Sequence, residues 1–296
     1  MLKISRLLLR VPLIVRYKGR QFCSTTDEEV ERKFVVTPEI ENNLNKLVLL
    51  KPKERTFTDE YFDIEKTFDL STRDLWLRRR DQIWELKWPM KKTNSSGLAG
   101  IDFYNESRDI KTISEVILSF TNHSALRAHE SSFDFTKWVG SGLLRSFAKI
   151  TTARTTYTIE LSSKVSDSLL VPTTHKFNAD IDRCYFSQDD GSTVSGDVGA
   201  YRIGEIELIR AGGMSQSQAL EDIFSQLSIS HTAVRGKVLE YLSRHKPLHF
   251  AALDESGLLA SKLGDSTARR SEPIAKGTDT VTVNAGAANK VHSSQV

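Results

Sequence analysis

The sequence has few of the features that mark several common classes of protein. Only two of its 296 residues are cysteines, Cys23 and Cys184, which is too few for a disulfide framework or a cysteine metal site. No apolar run approaches the roughly 20 residues that a transmembrane helix needs, so we expect no stable membrane insertion. The formal net charge is only +3, and this balance gives no reason to expect a nucleic-acid partner.

Acidic residues are missing from the first 26 positions. Basic residues recur along this segment, and the leucines between them could form a basic amphipathic helix. Arg20 lies shortly before Cys23 and Ser24, as in a matrix-processing site. This composition is typical of a mitochondrial presequence, so residues 1–26 predict delivery to the mitochondrial matrix. The alternative is a cytoplasmic protein, with this segment a disordered extension or the product of a misassigned start codon.

Aromatic residues are missing from the other end of the chain. Residues 264–296 are rich in Ser, Thr, Ala, Gly and Lys. Such a segment cannot bury enough apolar area to offset the entropy of ordering it. We therefore predict a disordered tail there and a folded unit over residues 27–263.

Charged residues at every second position are the main pattern within the folded unit. In Glu29-Val30-Glu31-Arg32-Lys33-Phe34 a strand would place Glu29, Glu31 and Lys33 on one face. One such strand is typical of a solvated sheet face. The same alternation recurs in four further predicted strands: Trp76, Arg78 and Arg80; Glu85 and Lys87; Asp180 and Asp182; Glu205 and Glu207.

The strand-like segments amount to about eight strands, nearly all joined as antiparallel neighbours. They cover residues 29–34, 55–63, 75–80, 82–88, 101–107, 144–154, 156–161, 176–182 and 201–209. Helical spacing is predicted over residues 37–50, 109–122, 133–139, 215–229 and 232–245. Eight strands are enough to close a small barrel. The predicted fold class is α+β, a closed eight-stranded antiparallel β-barrel with a polar lumen, surrounded by helices.

A lumen with both signs of charge indicates a class of ligand. Arginine and lysine give charge-assisted hydrogen bonds to phosphate oxygens. Clustered aspartate and glutamate bind hard cations such as Mg²⁺ or Mn²⁺. The two together suit a polyphosphate with its metal.

Several segments then resemble one family. Glu29-Val30-Glu31-Arg32-Lys33 matches the Glu-x-Glu-x-Lys signature of the CYTH superfamily, the triphosphate tunnel metalloenzymes. The resemblance is greatest to the thiamine triphosphatase branch, through the joined Trp-Leu-Arg-Arg-Arg and Trp-Glu-Leu-Lys-x-Pro segments. Further matches are Tyr61-Phe62-Asp63, Tyr104-Asn105-Glu106, Asp180-Ile181-Asp182, Gly204-Glu205-Ile206-Glu207 and Lys237.

The resemblance implies an activity and a monomeric enzyme with a small-molecule triphosphate substrate. The activity is Mg²⁺-dependent hydrolysis of thiamine triphosphate to thiamine diphosphate and phosphate, with Mn²⁺ as a possible replacement. The alternatives are an inorganic or nucleoside triphosphatase on the same tunnel fold, a cyclase of the same superfamily, and a polyphosphate-binding module without turnover.

The resemblance also implies roles for individual residues. Lys87 with Tyr61 would assist the leaving group, and Trp76 would stack on the cationic thiazolium. The implied metal ligands are Glu29, Glu31, Asp180, Glu205 and Glu207. The implied substrate contacts are Lys33, Trp76, Arg78, Arg80, Lys87, Arg154, Glu205 and Lys237.

Overall fold

A computed structural model describes residues 26–48, 50–90, 101–121, 135–162, 174–187, 200–210, 216–230 and 232–263. The predicted presequence, apart from Thr26, and the predicted tail lie outside these residues. None of the helices in the described ranges is long and apolar enough to cross a membrane.

The described part of the chain forms eight strands and seven α-helices. The strands are β1 Asp27–Phe34, β2 Lys53–Ile64, β3 Trp76–Arg80, β4 Ile83–Pro89, β5 Ile101–Ser107, β6 Leu144–Ser162, β7 Thr174–Phe186 and β8 Tyr201–Arg210. The helices are α1 Pro38–Leu47, α2 Ile110–Phe120, α3 Phe135–Gly140, α4 Gln216–Gln226, α5 Lys237–His245, α6 Pro247–Glu255 and α7 Leu258–Leu263, with a 3₁₀ turn at Ser71–Arg73.

The strands close into one antiparallel barrel in the order β1-β5-β4-β3-β2-β6-β7-β8. Strand β1 completes the barrel because it pairs with β5 on one side and with β8 on the other. Closure gives each of these eight strands a hydrogen-bonded neighbour on both sides. The predicted fold class, a closed eight-stranded antiparallel barrel with helices around it, is confirmed.

Local sequence features explain several of these elements. Thr37 caps α1, since its hydroxyl oxygen accepts a hydrogen bond from the Ile40 amide at 3.2 Å. Asp81 and Gln82 join β3 to β4 with φ values of 47° and 75°, as a tight two-residue hairpin requires. Gly204 lies against the ring of Phe34, which a Cβ at that position would overlap. Glycine therefore lets β8 approach β1.

Apart from shifts at the ends of elements, such as the helix predicted over 232–245 that begins at Lys237, the structure differs from the predicted elements at two places. The two segments predicted over 144–161 form one strand, β6, because Thr155 pairs with Glu54 of β2 and with Ile181 of β7. Helices α6 and α7 were not predicted. They are short, and they are stabilised by burying Phe250, Leu253 and Leu259 against neighbouring elements, which local periodicity does not reveal.

Three apolar clusters hold the helices to the barrel. Helices α1 and α4 cover the outside of β1, β7 and β8, around Phe177 and Phe224. Helices α2 and α3 cover β3 and β4, around Leu77 and Trp138. In both regions the apolar face of the sheet points outward to the helices and leaves the charged face for the lumen.

The third cluster lies on the lumen side of the strands. It joins α5, α6 and α7 to Tyr61, Ile150, Cys184 and Ile203. Each of these four residues lies an even number of positions from a charged lumen residue on its own strand. The two sets of side chains therefore leave the same face of the sheet. Cys184 is fully buried in this cluster, and burial raises the pKa of its thiol to about 12. The C-terminal helices therefore pack against the apolar part of the lumen face.

Candidate active site

A cavity of about 350 Å³ lies inside the barrel. Apart from Asp180, every residue predicted for the site lines it: Glu29, Glu31, Lys33, Tyr61, Trp76, Arg78, Arg80, Lys87, Arg154, Glu205, Glu207 and Lys237. Asp180 lies beside the cavity, where its carboxylate pairs with Arg154 and accepts a hydrogen bond from the Thr156 hydroxyl at 2.6 Å. The predicted site residues are therefore close neighbours in space.

One wall of the cavity, which we call the carboxylate wall, consists of Glu29, Glu31, Glu205 and Glu207. Strands β1 and β8 place these side chains together, because Glu31 lies opposite Glu207 in the antiparallel register. The next lumen-facing pair along the same two strands is Lys33 and Glu205.

Two lysines reach into the carboxylate wall. Lys33 Nζ contacts Glu31, and lies 3.0 Å from Asp102 Oδ2 and 3.6 Å from Glu205 Oε1. Lys87 Nζ forms an ion pair with Glu29.

Lys87 also shares its charge with two further carboxylates. Its Nζ lies 3.5 Å from Glu31 Oε2 and 3.6 Å from Glu106 Oε2. Each ammonium group therefore forms ion pairs with several carboxylates.

The pKa values of the carboxylate wall show that this compensation is incomplete. Burial, and then repulsion from Glu31, raise the pKa of Glu29 to about 7, although Lys87 offsets part of the effect. Burial and neighbouring carboxylates also raise the pKa of Glu205 and of Glu207. Glu31 differs, since Lys33 and Lys87 outweigh its burial and hold its pKa well below the usual range.

A second wall, the cation wall, consists of Arg78, Arg80 and Lys237 around Asp59. Arg80 binds the two Asp59 oxygens through Nε at 2.6 Å and Nη2 at 3.0 Å. Lys237 Nζ lies 2.7 Å from Asp59 Oδ2, and Arg78 Nε lies 4.0 Å from Asp59 Oδ1.

Asp59 thus faces three cations, and Arg78 also donates through Nε to a second buried carboxylate, Glu85, at 2.7 Å. Burial alone would raise the pKa of Asp59, but Lys237, Arg78 and Arg80 outweigh it and hold this pKa far below the usual range. Phe57 lies beneath the same groups, 4.1 Å from the Arg80 guanidinium and 4.9 Å from Lys237 Nζ. Its ring face favours cations at these positions.

Arg154 stands between the two walls. It binds both Asp182 oxygens at 2.7 and 2.8 Å and lies 3.5 Å from Glu205 Oε2. Arg154 was predicted as a substrate contact, and the structure places it in the wall of the cavity.

The predicted pair of Lys87 and Tyr61 lines the cavity, but the Lys87 ammonium points to the carboxylate wall. Tyr61 is buried beside Phe147. Attraction by Glu31 and Glu29 outweighs burial and raises the pKa of Lys87, which stays protonated at neutral pH. Their joint role in assisting a leaving group stays a prediction.

Four charged neighbours of the predicted site were missed by the sequence reasoning: Asp59, Asp74, Asp102 and Lys262. Asp59 follows the same period-two pattern as the residues on the other strands, since it lies two positions from Phe57 and two from Tyr61. Asp102 alternates with Tyr104 on β5. Asp74 lies in a turn and Lys262 on an unpredicted helix, so neither had a signal of this kind.

The carboxylate wall has the chemistry of a site for a hard cation. No group of three or more His, Cys, Asp and Glu side chains in the described residues is arranged as a metal site, and lysine ammonium groups lie among the glutamates instead. All the donors are carboxylate oxygens, which Mg²⁺ and Mn²⁺ prefer. Burial and repulsion raise the pKa of Glu29, Glu205 and Glu207, so their negative charge is not fully compensated by the lysines. A divalent cation would compensate it, and the residues present therefore fit one.

Comparisons with known proteins agree with this geometry. Residues 27–234 match the model of the CYTH domain. The human protein thiamine-triphosphatase is 26% identical over 233 residues, which cover 77% of this chain and 89% of the human protein.

Solved structures give weaker likenesses. A candidate adenylate cyclase from Bacillus halodurans is 17% identical, with a TM-score of 0.39 over 73% of this chain and 98% of that one. A candidate adenylyl cyclase from Hippeastrum with a dominant triphosphatase activity is 16% identical, with a TM-score of 0.40 over 73% of this chain and 96% of that one. The CYTH model, by contrast, spans more than half of the chain and includes both tunnel walls except Lys237. The chain therefore belongs to the CYTH family.

Proposed function

We propose that this protein hydrolyses the terminal phosphoanhydride of thiamine triphosphate, with Mg²⁺ or Mn²⁺, to give thiamine diphosphate and phosphate. The observation that carries the proposal is the pairing of a carboxylate wall with a cation wall inside one closed tunnel. Membership of the CYTH family and the similarity to human thiamine-triphosphatase support it.

The cation wall would bind the phosphate chain. Arg78, Arg80 and Lys237 face two buried carboxylates, Asp59 and Glu85, so positive charge exceeds negative charge in this wall. Guanidinium groups present several N–H donors in a planar fork that matches phosphate oxygens. A triphosphate in the cavity would supply the negative charge that this wall lacks.

The carboxylate wall would hold the metal. Glu29, Glu31, Glu205 and Glu207 supply the oxygen ligands, and the ammonium groups of Lys33 and Lys87 would then be released to contact phosphate. The bound metal would polarise a phosphoryl oxygen and lower the pKa of a water molecule.

The reaction adds one water molecule to the terminal phosphorus and breaks its bond to the bridging oxygen. The diphosphate leaves with the electron pair of that bond, and the water proton passes to the leaving group or to solvent. Lys87 stays protonated because of the glutamates around it, so its ammonium would act as a cation that stabilises charge on the leaving oxygen. A protonated lysine is not a general base.

The organic end of the substrate would lie near Trp76. The indole lines the cavity, and its N–H donates to Asp74 Oδ1 at 2.8 Å, which fixes the ring orientation. A thiazolium over this ring would gain a cation–π contact of about 0.5–2 kcal/mol. This contact is the basis for thiamine triphosphate as the preferred substrate.

The proposal is tested by phosphate release from the purified full chain. Thiamine triphosphate, tripolyphosphate and ATP are compared at equal Mg²⁺, and we expect the highest kcat/KM with thiamine triphosphate. A higher kcat/KM with tripolyphosphate would replace the thiamine assignment with that of an inorganic triphosphatase. Binding of all three without turnover would make the tunnel a polyphosphate-binding module.

A further inference from the structure

Lys262 brings a positive charge into the cavity from the C-terminal helix α7. Its Nζ lies 2.8 Å from Asp102 Oδ1 and 3.1 Å from Asp74 Oδ2, and donates to the Tyr104 hydroxyl at 2.6 Å. The same ammonium lies 4.5 Å from the centre of the Tyr104 ring. Lys262 lines the cavity but falls outside residues 27–234, which the family model covers.

Asp74, Asp102 and Tyr104 together form what we call the cation niche. Two carboxylates and an aromatic ring are the groups that recognise an organic cation in proteins. Asp74 adopts a left-handed backbone with φ of 63°, and its Oδ1 accepts hydrogen bonds from Tyr104 and Trp76, both at 2.8 Å. These hydrogen bonds fix the Asp74 carboxylate in the niche, and the Lys262 ammonium lies within it.

The cation niche adjoins the groups proposed to bind the triphosphate. Asp102 contacts Lys262 through Oδ1 and Lys33 through Oδ2 at 3.0 Å, so it connects the niche to the carboxylate wall. Asp74 connects the niche to Trp76. A ligand whose phosphates reach Lys33 and whose organic end stacks on Trp76 would bring that end to the niche.

We propose that Lys262 is a specificity-determining residue that competes with a positively charged organic group of the substrate for the cation niche. The inference rests on the proposed phosphoanhydride hydrolysis. A thiazolium or similar cation beside Trp76 would have to displace the Lys262 ammonium, because two positive charges a few ångströms apart repel each other. Tripolyphosphate has no such group and meets no competition. Lys262 thus lowers the preference for cationic over purely inorganic triphosphates.

Helix α7 can keep its place when the Lys262 side chain moves. Leu258, Leu259 and Leu263 are buried, and Leu258 and Leu259 join the cluster on the apolar part of the lumen face. Most of the stabilisation of α7 comes from this burial of apolar side chains. Replacing Lys262 therefore tests the charge without unfolding the helix.

The first test compares Lys262→Met, which keeps an unbranched side chain without charge, with Lys262→Arg, which keeps the cation. The measurement is the ratio of kcat/KM for thiamine triphosphate to kcat/KM for tripolyphosphate, with the full chain and Mg²⁺. We expect Lys262→Met to raise this ratio about fivefold, through a lower KM for thiamine triphosphate, as the loss of one cation–π and ion-pair competitor implies. Lys262→Arg should leave the ratio near the wild-type value. An unchanged ratio in Lys262→Met, or an equal rise in both variants, would overturn the proposal.

A binding measurement separates this inference from the proposed activity. A thiazolium alcohol and its neutral thiazole analogue are titrated into each variant by calorimetry, with no phosphate and no metal present. The thiazolium should bind more tightly to Lys262→Met than to the wild type, whereas the neutral analogue should bind both equally. Equal gains for the two compounds would overturn the proposal by showing that Lys262 only occupies space. This result does not depend on whether any triphosphate is hydrolysed.

Discussion

Asp59 and Glu29 are carboxylates on strands of the same tunnel, Asp59 fully buried and Glu29 partly buried, and both contact a lysine. Their pKa values nevertheless move in opposite directions. Asp59 faces Lys237 and two arginines, which hold its pKa far below the usual range in spite of its burial. Glu29 shares its one lysine with other carboxylates, and burial raises its pKa to about 7.

The difference shows which charge each wall lacks. Around Asp59 the cations outnumber the carboxylate, and around Glu29 the carboxylates outnumber the lysines. In the proposed function, a polyphosphate would supply the negative charge for the first wall, and a divalent cation would supply the positive charge for the second. One closed barrel can hold both because its strands place the two walls on the same lumen.

The largest expected effect is on the carboxylate wall, in Glu31→Gln. Glu31 is 3% exposed and contacts both Lys33 and Lys87, so its loss removes a proposed metal ligand and one carboxylate partner of each lysine. We expect metal-dependent phosphate release to fall on the order of 10²–10³-fold, the scale of losing one electrostatic stabiliser of the transition state. The control is Glu60→Gln, since Glu60 pairs with Arg79 rather than with the cavity. Wild-type turnover in Glu31→Gln would remove this residue from the metal site.

The next effect is on the cation wall, in Arg80→Met compared with Arg79→Met. These neighbours leave β3 on opposite faces, Arg80 toward Asp59 in the cavity and Arg79 toward Glu60. Loss of a charge-assisted contact to phosphate should raise the KM for the triphosphate about 10- to 100-fold in Arg80→Met. Arg79→Met should stay within about twofold, because a partly exposed ion pair contributes little. Equal KM values in the two variants would show that the cation wall does not bind phosphate.

The smallest effect is the pH dependence of stability in the metal-free protein. The folded-state pKa of Glu29, about 7, lies above its ordinary value of 4.5, so the folded chain holds this proton more tightly than the unfolded chain. Glu29 therefore makes the protein less stable as the pH rises from about 4.5 through 7.

Glu29→Gln cannot ionise and should remove this loss. Relative to the wild type, its free energy of unfolding should rise by about 1–3 kcal/mol between pH 5 and pH 8, at about 1.4 kcal/mol per pKa unit. Urea unfolding at the two pH values measures the difference. A difference that does not depend on pH would mean that Glu29 is ionised throughout this range.

Much of the fold and of the site could be predicted because strands and tunnel walls follow one local rule. Residues two positions apart on a strand share a face. The spacing of Glu29 and Glu31, and of Arg78 and Arg80, therefore predicts a charged lumen from the sequence alone. Asp59 obeys the same rule, and its omission was a failure to apply it to β2.

The contacts from the C-terminal helices could not be predicted in this way. Lys262 reaches the cavity only because α7 packs across the chain against the lumen face, and its partners Asp74 and Asp102 are 188 and 160 positions away in sequence. Tertiary packing places this residue, and a pattern within a few neighbouring residues contains no information about it. The 350 Å³ cavity likewise depends on how all the strands close.

The most direct test of the two-wall account measures both ligands separately in Glu31→Gln and Arg80→Met. Mn²⁺ binding is followed by electron paramagnetic resonance without phosphate, and tripolyphosphate binding by calorimetry without metal. The account predicts that Glu31→Gln weakens Mn²⁺ binding at least about tenfold while tripolyphosphate binding is kept or strengthened. Arg80→Met should show the reverse. If both variants lost both ligands to the same degree, the division of the tunnel into a metal wall and a phosphate wall would be wrong.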